Sequence, residues 1–223
     1  MPLTIDCISD THNHHAGLDL SGGDILLHSG DATGRGTVKE MEDFLKWFGE
    51  QDYAHRVYIP GNHDWLAERN PELTQELATK NGVILLNDSG ITMEGVKIWG
   101  SAVQPWYHDW AFNRERGPDI REHWDMIPLD TEILITHGPV YKILDQTVHG
   151  EYVGCVDLLD RIKELAHLKM HQCGHIHERR GYEIHDGKLF LNASSLDHHY
   201  YMFKVRKPIR ITRSDDGIYQ VVE

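Results

Sequence analysis

Five short apolar runs in this chain each end in a cluster of histidine, aspartate and asparagine, and that pairing constrains the fold more than any other feature. Residues 3–8 (LTIDCI) lead into SDTHN, 24–28 (DILLH) into SGDATGRG, and 57–59 (VYI) into PGNHD. Residues 132–135 (EILI) lead into THGP, and 168–173 (LKMHQC) into GHIHERR. Apolar runs of this length bounded by turn residues read as buried strands. Helical patterns lie between several of them. In 37–51 (TVKEMEDFLKWFGEQ), Val38, Met41, Phe44, Leu45 and Phe48 fall on one face. Residues 71–80 (PELTQELATK) carry Pro in a first-turn position and run into the stop signal Asn81-Gly82. Residues 156–168 (VDLLDRIKELAHL) predict a third amphipathic helix. The last third reads as short strands at 182–185, 188–192, 200–205 and 208–212, the first two joined by the Asp186-Gly187 turn. Alternating strands and helices followed by a β-rich tail predict an α/β domain of stacked sheets with flanking helices, a single domain over 1–223. Ligands in such folds sit outside the carboxyl ends of the strands, so the five polar clusters can converge on one rim.

Composition narrows what that rim can serve. The net charge of -13 argues against a grip on long nucleic acid and against an anionic membrane face. No apolar stretch is long enough to span a bilayer, and the N-terminus lacks the basic flank and apolar core of a signal peptide. Cys7, Cys155 and Cys173 are few and without metal-type spacing, which predicts a reducing, cytoplasmic setting. The unusual count is 17 histidines, the commonest metal ligand and the usual proton carrier near neutral pH.

The candidate ligands at the strand ends are Asp10 and His12, then Asp31, Asn62 with His63, His137, and finally His175 and His177. Oxygen and imidazole donors without thiolate suit Mn, Fe or Zn. Asp-x-His and His-x-His put alternate residues on one side of an extended segment, so both members can face one pocket. The set is too large for one tetrahedral ion and suits two divalent ions, with Asp31 as the natural bridge. Two cations about 3.5–4 Å apart can share one bridging ligand.

The ordered blocks D-x-H, GD, GNHD, H-G and GH-x-H resemble the calcineurin-like metallophosphoesterase superfamily. GDILLHSGD, KIWGSAVQPWYHDWAFN, ILITHGP, VGCVDLL, GHIHE and LNASS are similar to its metallophosphoesterase-domain-containing (MPPED) branch, over the chain to about Ser195. The resemblance implies a four-layer αββα sandwich of two mixed β-sheets flanked by helices. It implies that Asp10, His12, Asp31 and His177 hold one metal and that Asp31, Asn62, His137 and His175 hold the other, with Mn²⁺ expected and Fe or Zn compatible. His63 would give a proton to the leaving group or stabilise the transition state, and Asn62 and His63 would also touch substrate. Related protein phosphatases carry a second Asp in the GD block that orients the catalytic His; here Gly34 stands there, and Asp64 is a possible substitute. Arg35 falls where those phosphatases bind phosphate.

Plainer readings apply to the neighbours. His28 reads as a core histidine, His14 and His15 as loop residues, Asn13 as a cap or substrate contact, and Cys173 as a small buried hydrophobe. The LDHHY stretch at 196–200 suggests a further metal site by its paired histidines but does not read as one. Residues 103–113 (VQPWYHDWAFN) read as a hydrophobic lid, or as an aromatic wall on which a nucleobase could stack, with Trp106 the candidate contact. The expected activity is a dimetal phosphodiesterase on a small phosphate ester, cyclic nucleotides or 2′,3′-cyclic phosphates being the expected substrates. A phosphomonoesterase is the nearest alternative, and a metal-bearing scaffold comes from a different class. Nothing in the sequence speaks to oligomeric state.

Overall fold

The structure is a computed structural model that describes residues 2–199 and 205–222. In chain order the elements are β1 (Leu3–Ile8), β2 (Gly23–His28), α1 (Val38–Gly49), β3 (Tyr53–Tyr58), α2 (Trp65–Arg69), α3 (Pro71–Lys80) and β4 (Ile84–Leu85). There follow β5 (Ser89–Met93), β6 (Val96–Ser101), β7 (Gln104–Pro105), β8 (Asn113–Arg114), α4 (Pro118–Asp125), β9 (Ile133–Thr136) and α5 (Val156–Glu164). The chain closes with β10 (Met170–Cys173), β11 (Gly181–His185), β12 (Lys188–Asn192), β13 (Ile209–Arg213) and β14 (Tyr219–Val222).

The strands form two six-stranded mixed sheets and one two-stranded ribbon, β7-β8. The first sheet has the order β14-β13-β1-β2-β3-β4; β1 to β4 run parallel, and β13 and β14 join antiparallel. The second has the order β11-β12-β10-β9-β6-β5, with four parallel strands between two antiparallel edges. Register lines up the apolar side chains. Cys7 sits beside Leu27 and Leu27 beside Val57 in one sheet. Ile98, Ile133, Met170 and Leu189 form a row across the other. Both rows are buried in one core between the sheets. Because strand side chains alternate, the intervening residues face outward. Ile8, Leu26 and Tyr58 pack with Met41, Phe44, Leu45 and Phe48 of α1 and Leu77 of α3. Leu134 and Phe190 pack with Ile120 and Trp124 of α4 and Leu158 and Ile162 of α5. The layers are therefore helix, sheet, sheet, helix, as the resemblance implied.

The helix ends follow local chemistry. Thr37 and Glu40 close a reciprocal capping box on α1, and Asn70 accepts from Leu73 N ahead of Pro71 in α3. Such caps contribute about 1 kcal/mol each. Several expectations need correction. Val38 is 42% exposed and lies off the apolar stripe of α1. The third helix stops at Glu164, because Leu165 turns out of the helical region and lets Leu165 and Leu168 both enter the core. His15 is no loop residue: it begins a short 3₁₀ turn and is buried against Phe44 and Trp47. The strand expected at 200–205 falls on positions of which 200–204 lie outside the described residues, and Val205 is in no strand. Helices α2 and α4 and strands β4 to β8 and β14 had no sequence expectation, although β5 and β6 complete the second sheet beside β9 and β14 completes the first.

Candidate metal centre and its pocket

The parallel strands of both sheets deliver their carboxyl ends to one rim, and the loops there are locked to one another. The amides of Asp10, His12 and Asn13 donate to the carbonyls of Gly30, Asp31 and Ala32 at 2.9–3.0 Å, so the loops after β1 and β2 run side by side. That pairing forces Asp10, His12, Asn13 and Asp31 to positive φ, as is His175 on the facing sheet. Left-handed backbone in non-glycine residues is a cost that persists only where the surroundings impose it, and such strain gathers at functional sites. Glycine is required where loops meet side chains. A Cβ on Gly61 would lie 2.4 Å from Asp31 N and Oδ1, and one on Gly174 would lie 2.1 Å from Asp10 Oδ2.

Three groups of donor atoms result, each with its atoms within 4.8 Å of one another. Asp10, His12 and His177 make one, Asp31, His137 and His175 another, and His12, Asp31 and His63 a third between them. His177 Nε2 lies 3.3 Å from Asp10 Oδ1, His12 Nε2 3.7 Å from Asp31 Oδ2, and His137 Nε2 3.3 Å from Asp31 Oδ2. Asn62 Oδ1 lies 2.8 Å from His137 Nε2. All eight residues named from the sequence are thus brought together. Two histidines are oriented from behind. His137 Nδ1 donates to the Ser29 carbonyl at 2.9 Å, and His177 Nδ1 to the Asp197 carbonyl at 3.1 Å. A carbonyl can only accept, so Nδ1 carries a proton and Nε2 is the nitrogen turned to the centre; on His137 it faces the acceptors Asn62 Oδ1 and Asp31 Oδ2, so without a cation it carries a proton too.

The electrostatics call for positive charge. Burial opposes charging His137, but the Asp31 carboxylate outweighs it and raises the imidazole to about 9. Asp31 itself, against the cost of burial, is held well below the usual carboxylate range by His137. His12 and His175 are pushed down by burial to about 4 and about 3, so both are neutral donors. Buried carboxylates facing the neutral imidazoles of His12 and His175, and facing on His137 a proton that a cation would displace, fit divalent cations with oxygen and nitrogen preference. Asp31 belongs to the second and third donor groups and approaches His12 of the first, so it can serve both sides.

His63 differs from the others. Its amide donates to Asp31 Oδ1 at 2.8 Å, and its Nδ1 donates to the Gly34 carbonyl at 2.8 Å. The residue that lacks the expected carboxylate thus supplies a backbone acceptor instead. Asp64 does not substitute: its buried carboxylate accepts from Gly61 N, Thr33 N and Thr33 Oγ1 at 2.7–2.9 Å, tying the two loops together. The ring of His63 stacks on Trp110, with centroids 4.1 Å apart and planes at 28°, and meets the edge of His12.

Asp31, Asn62, His63, His175 and His177 lie in the lining of a cavity of about 680 Å³. One wall comes from residues 104–110, with Trp106 and Tyr107 57% and 53% exposed; Phe112 and Ala111 just beyond are buried. The segment is therefore partly lid and partly wall. Arg35 is exposed, is absent from the lining, and its amide donates to Glu40. Among the described residues, the arginine in the lining is Arg116, whose guanidinium donates to the carbonyls of Val153 and Gly154. Arg116 and Ser194, which donates to Asp10 Oδ2, escaped the sequence reading, and Trp110 was legible only as part of the aromatic segment, not as a neighbour of His63. Only the quoted LNASS block pointed toward Ser194. His28 is a core histidine, bonded to Thr11 and pushed down by burial to about 3. Asn13 bonds Glu40, and Cys173 is buried. His198 and His199 enter no potential metal group among the described residues.

Comparison with known proteins bears on the family and the fold. The sequence profile of calcineurin-like phosphoesterases matches residues 3–179. Human metallophosphoesterase domain-containing protein 1 is 35% identical over 212 residues, covering 84% of this chain. The chain spans 64% of that relative's length. One solved structure superimposes over 100% of this chain and 99% of its own with a TM-score of 0.68 at 14% identity. A structure titled as a novel archaeal phosphodiesterase covers 99% of both chains with a TM-score of 0.51 at 14% identity. Among the described residues, no helix is long and apolar enough to cross a membrane.

Proposed function

The chain belongs to the calcineurin-like phosphoesterase family, and from that premise we propose that it is a metal-dependent phosphodiesterase of small phosphate esters. The observation that carries this reading is Asp31, shared between donor groups on the floor of a pocket walled by aromatic side chains. Asp10, His12, Asp31 and His177 would hold one divalent cation, and Asp31, Asn62, His137 and His175 the other, Mn²⁺ first and Fe or Zn as alternatives. When bound, the pair would supply Lewis-acid polarisation of the phosphoryl group and a nucleophile at neutral pH.

The remaining work falls to the chain's own side chains. With Nδ1 committed to the Gly34 carbonyl, His63 has Nε2 as the nitrogen that exchanges a proton with a ligand in the pocket. A proton passed from Nε2 to the leaving oxygen contributes about 10²–10⁴-fold. Asn62 and His63 hold the phosphoryl group over the centre, and the Trp106 wall receives the ester substituent. That wall and the pocket's size favour a diester, with cyclic nucleotides or 2′,3′-cyclic phosphates as substrates; stacking adds about 1–3 kcal/mol per base. The acidity of the chain speaks against long nucleic acid and anionic membranes as partners.

The test is hydrolysis of bis-p-nitrophenyl phosphate by metal-stripped protein before and after addition of Mn²⁺. Restored turnover is expected. Turnover of p-nitrophenyl phosphate alone would make the protein a monoesterase, and no turnover of either ester would leave a metal-bearing scaffold.

A further inference from the structure

His63 sits at the pocket floor with its ring restrained at one edge by a single hydrogen bond to the Gly34 carbonyl. One such bond selects the Nδ1-protonated tautomer only while the ring lies against that carbonyl, and by itself it leaves the ring free to swing away and lose it. The face of the ring is covered by Trp110, stacked at 4.1 Å and 28°. The indole is itself anchored: the next residue, Ala111, is buried and donates its amide to the Asn62 carbonyl at 3.2 Å, one residue before His63. Phe112 N then donates to Glu68 Oε1 at 2.7 Å. The aromatic segment and the Gly61–Asp64 turn are therefore fastened to each other at the point where the two rings meet.

We infer that Trp110 is a positioning residue for His63, its indole and the Gly34 carbonyl together holding the ring in the absence of a carboxylate partner. The inference rests on the proposed proton-donor role of His63 and adds the group that makes it effective. The alternative, that Trp110 is a platform for a substrate base, is left with the other indole face, since His63 occupies one. Trp106 and Tyr107 offer open rings in the same wall.

The test compares wild type, Trp110→Ala and Trp110→Phe with Mn²⁺ on two esters that share a nucleoside, thymidine 5′-(p-nitrophenyl phosphate) and thymidine 5′-(phenyl phosphate). An aromatic contact of this kind corresponds to about 2–10-fold in rate. Trp110→Ala should lower kcat by that factor on the phenyl ester, whose poor leaving group needs the proton. It should change the p-nitrophenyl ester by less than about two-fold and leave KM in place, and Trp110→Phe should restore the loss. Equal loss on both esters, or a raised KM with kcat retained, would overturn the assignment in favour of packing or base stacking. A second readout needs no turnover: the imidazole ¹⁵N spectrum of metal-free protein, with His63 identified by its disappearance in His63→Ala. Wild type should show Nδ1 protonated, and Trp110→Ala a mixture of tautomers. An unchanged His63 signal in Trp110→Ala overturns the inference whatever the activity. A wild type inactive on both esters but with the tautomer change present would retire the phosphodiesterase reading and leave the positioning intact.

Discussion

Replacing Asp31 by Asn keeps the side-chain shape and an oxygen able to accept from His63 N, yet removes the charge that His137 faces at 3.3 Å. In metal-free protein that charge raises the fully buried His137 from 6.5 to about 9. A raised folded-state value stabilises the fold fully below the unfolded value and is lost as pH climbs through the folded one. The window here is pH 6.5 to 9, and the difference is worth about 3 kcal/mol. Urea unfolding in EDTA should therefore show the wild-type midpoint falling by about 1 M or more across that window. Asp31→Asn should start lower at pH 6.5, show a shallower slope, the remainder coming from His177, which Asp10 also raises, and approach wild type near pH 9, because it no longer buries a carboxylate without a proton-bearing partner. Mn²⁺ should flatten the wild-type slope by replacing the proton, and should protect Asp31→Asn far less. A flat metal-free wild-type profile, or an equal slope in the variant, would refute the reasoning that Asp31 holds positive charge at the centre.

Three further outcomes are expected. His63→Ala should lose about 10²–10⁴-fold on phenyl esters and much less on p-nitrophenyl esters, read as kcat across a leaving-group series. Arg116→Ala should raise KM for nucleotide esters while Arg35→Ala leaves both constants unchanged, since Arg116 lines the pocket and Arg35 does not; steady-state kinetics on the pair decides it. Gly61→Ala should cost about 1–3 kcal/mol through the clash with Asp31 and lower the melting temperature by about 2–12 °C, measured by calorimetry on metal-free protein.

The sequence by itself determined the five strand runs that carry the donors, the two long helices and the donor set, because each rests on short-range rules. Alternation put Ile5 and Cys7 on one face of β1, Pro71 and Asn81-Gly82 bounded α3, and every donor followed directly on an apolar run. A donor's identity is written in its side chain, so Asp31 and His137 could be named without knowing that they lie 3.3 Å apart. Where the sequence reading fell short, the deciding contact was long-range or made by backbone. The acceptor for His63 is a carbonyl, which every residue carries, so Gly34 read as a loss when it was a substitution of one acceptor for another. Arg35 stood at the matching place in the chain, but its loop folds outward onto Glu40, while Arg116 reaches the pocket through the carbonyls of Val153 and Gly154. Trp110 could be told from Trp106 only after the segment was fastened to Asn62 and Glu68. Local periodicity chose which residues could do chemistry; the meeting of two sheets chose which of them face one another, because that depends on contacts between residues far apart in the chain.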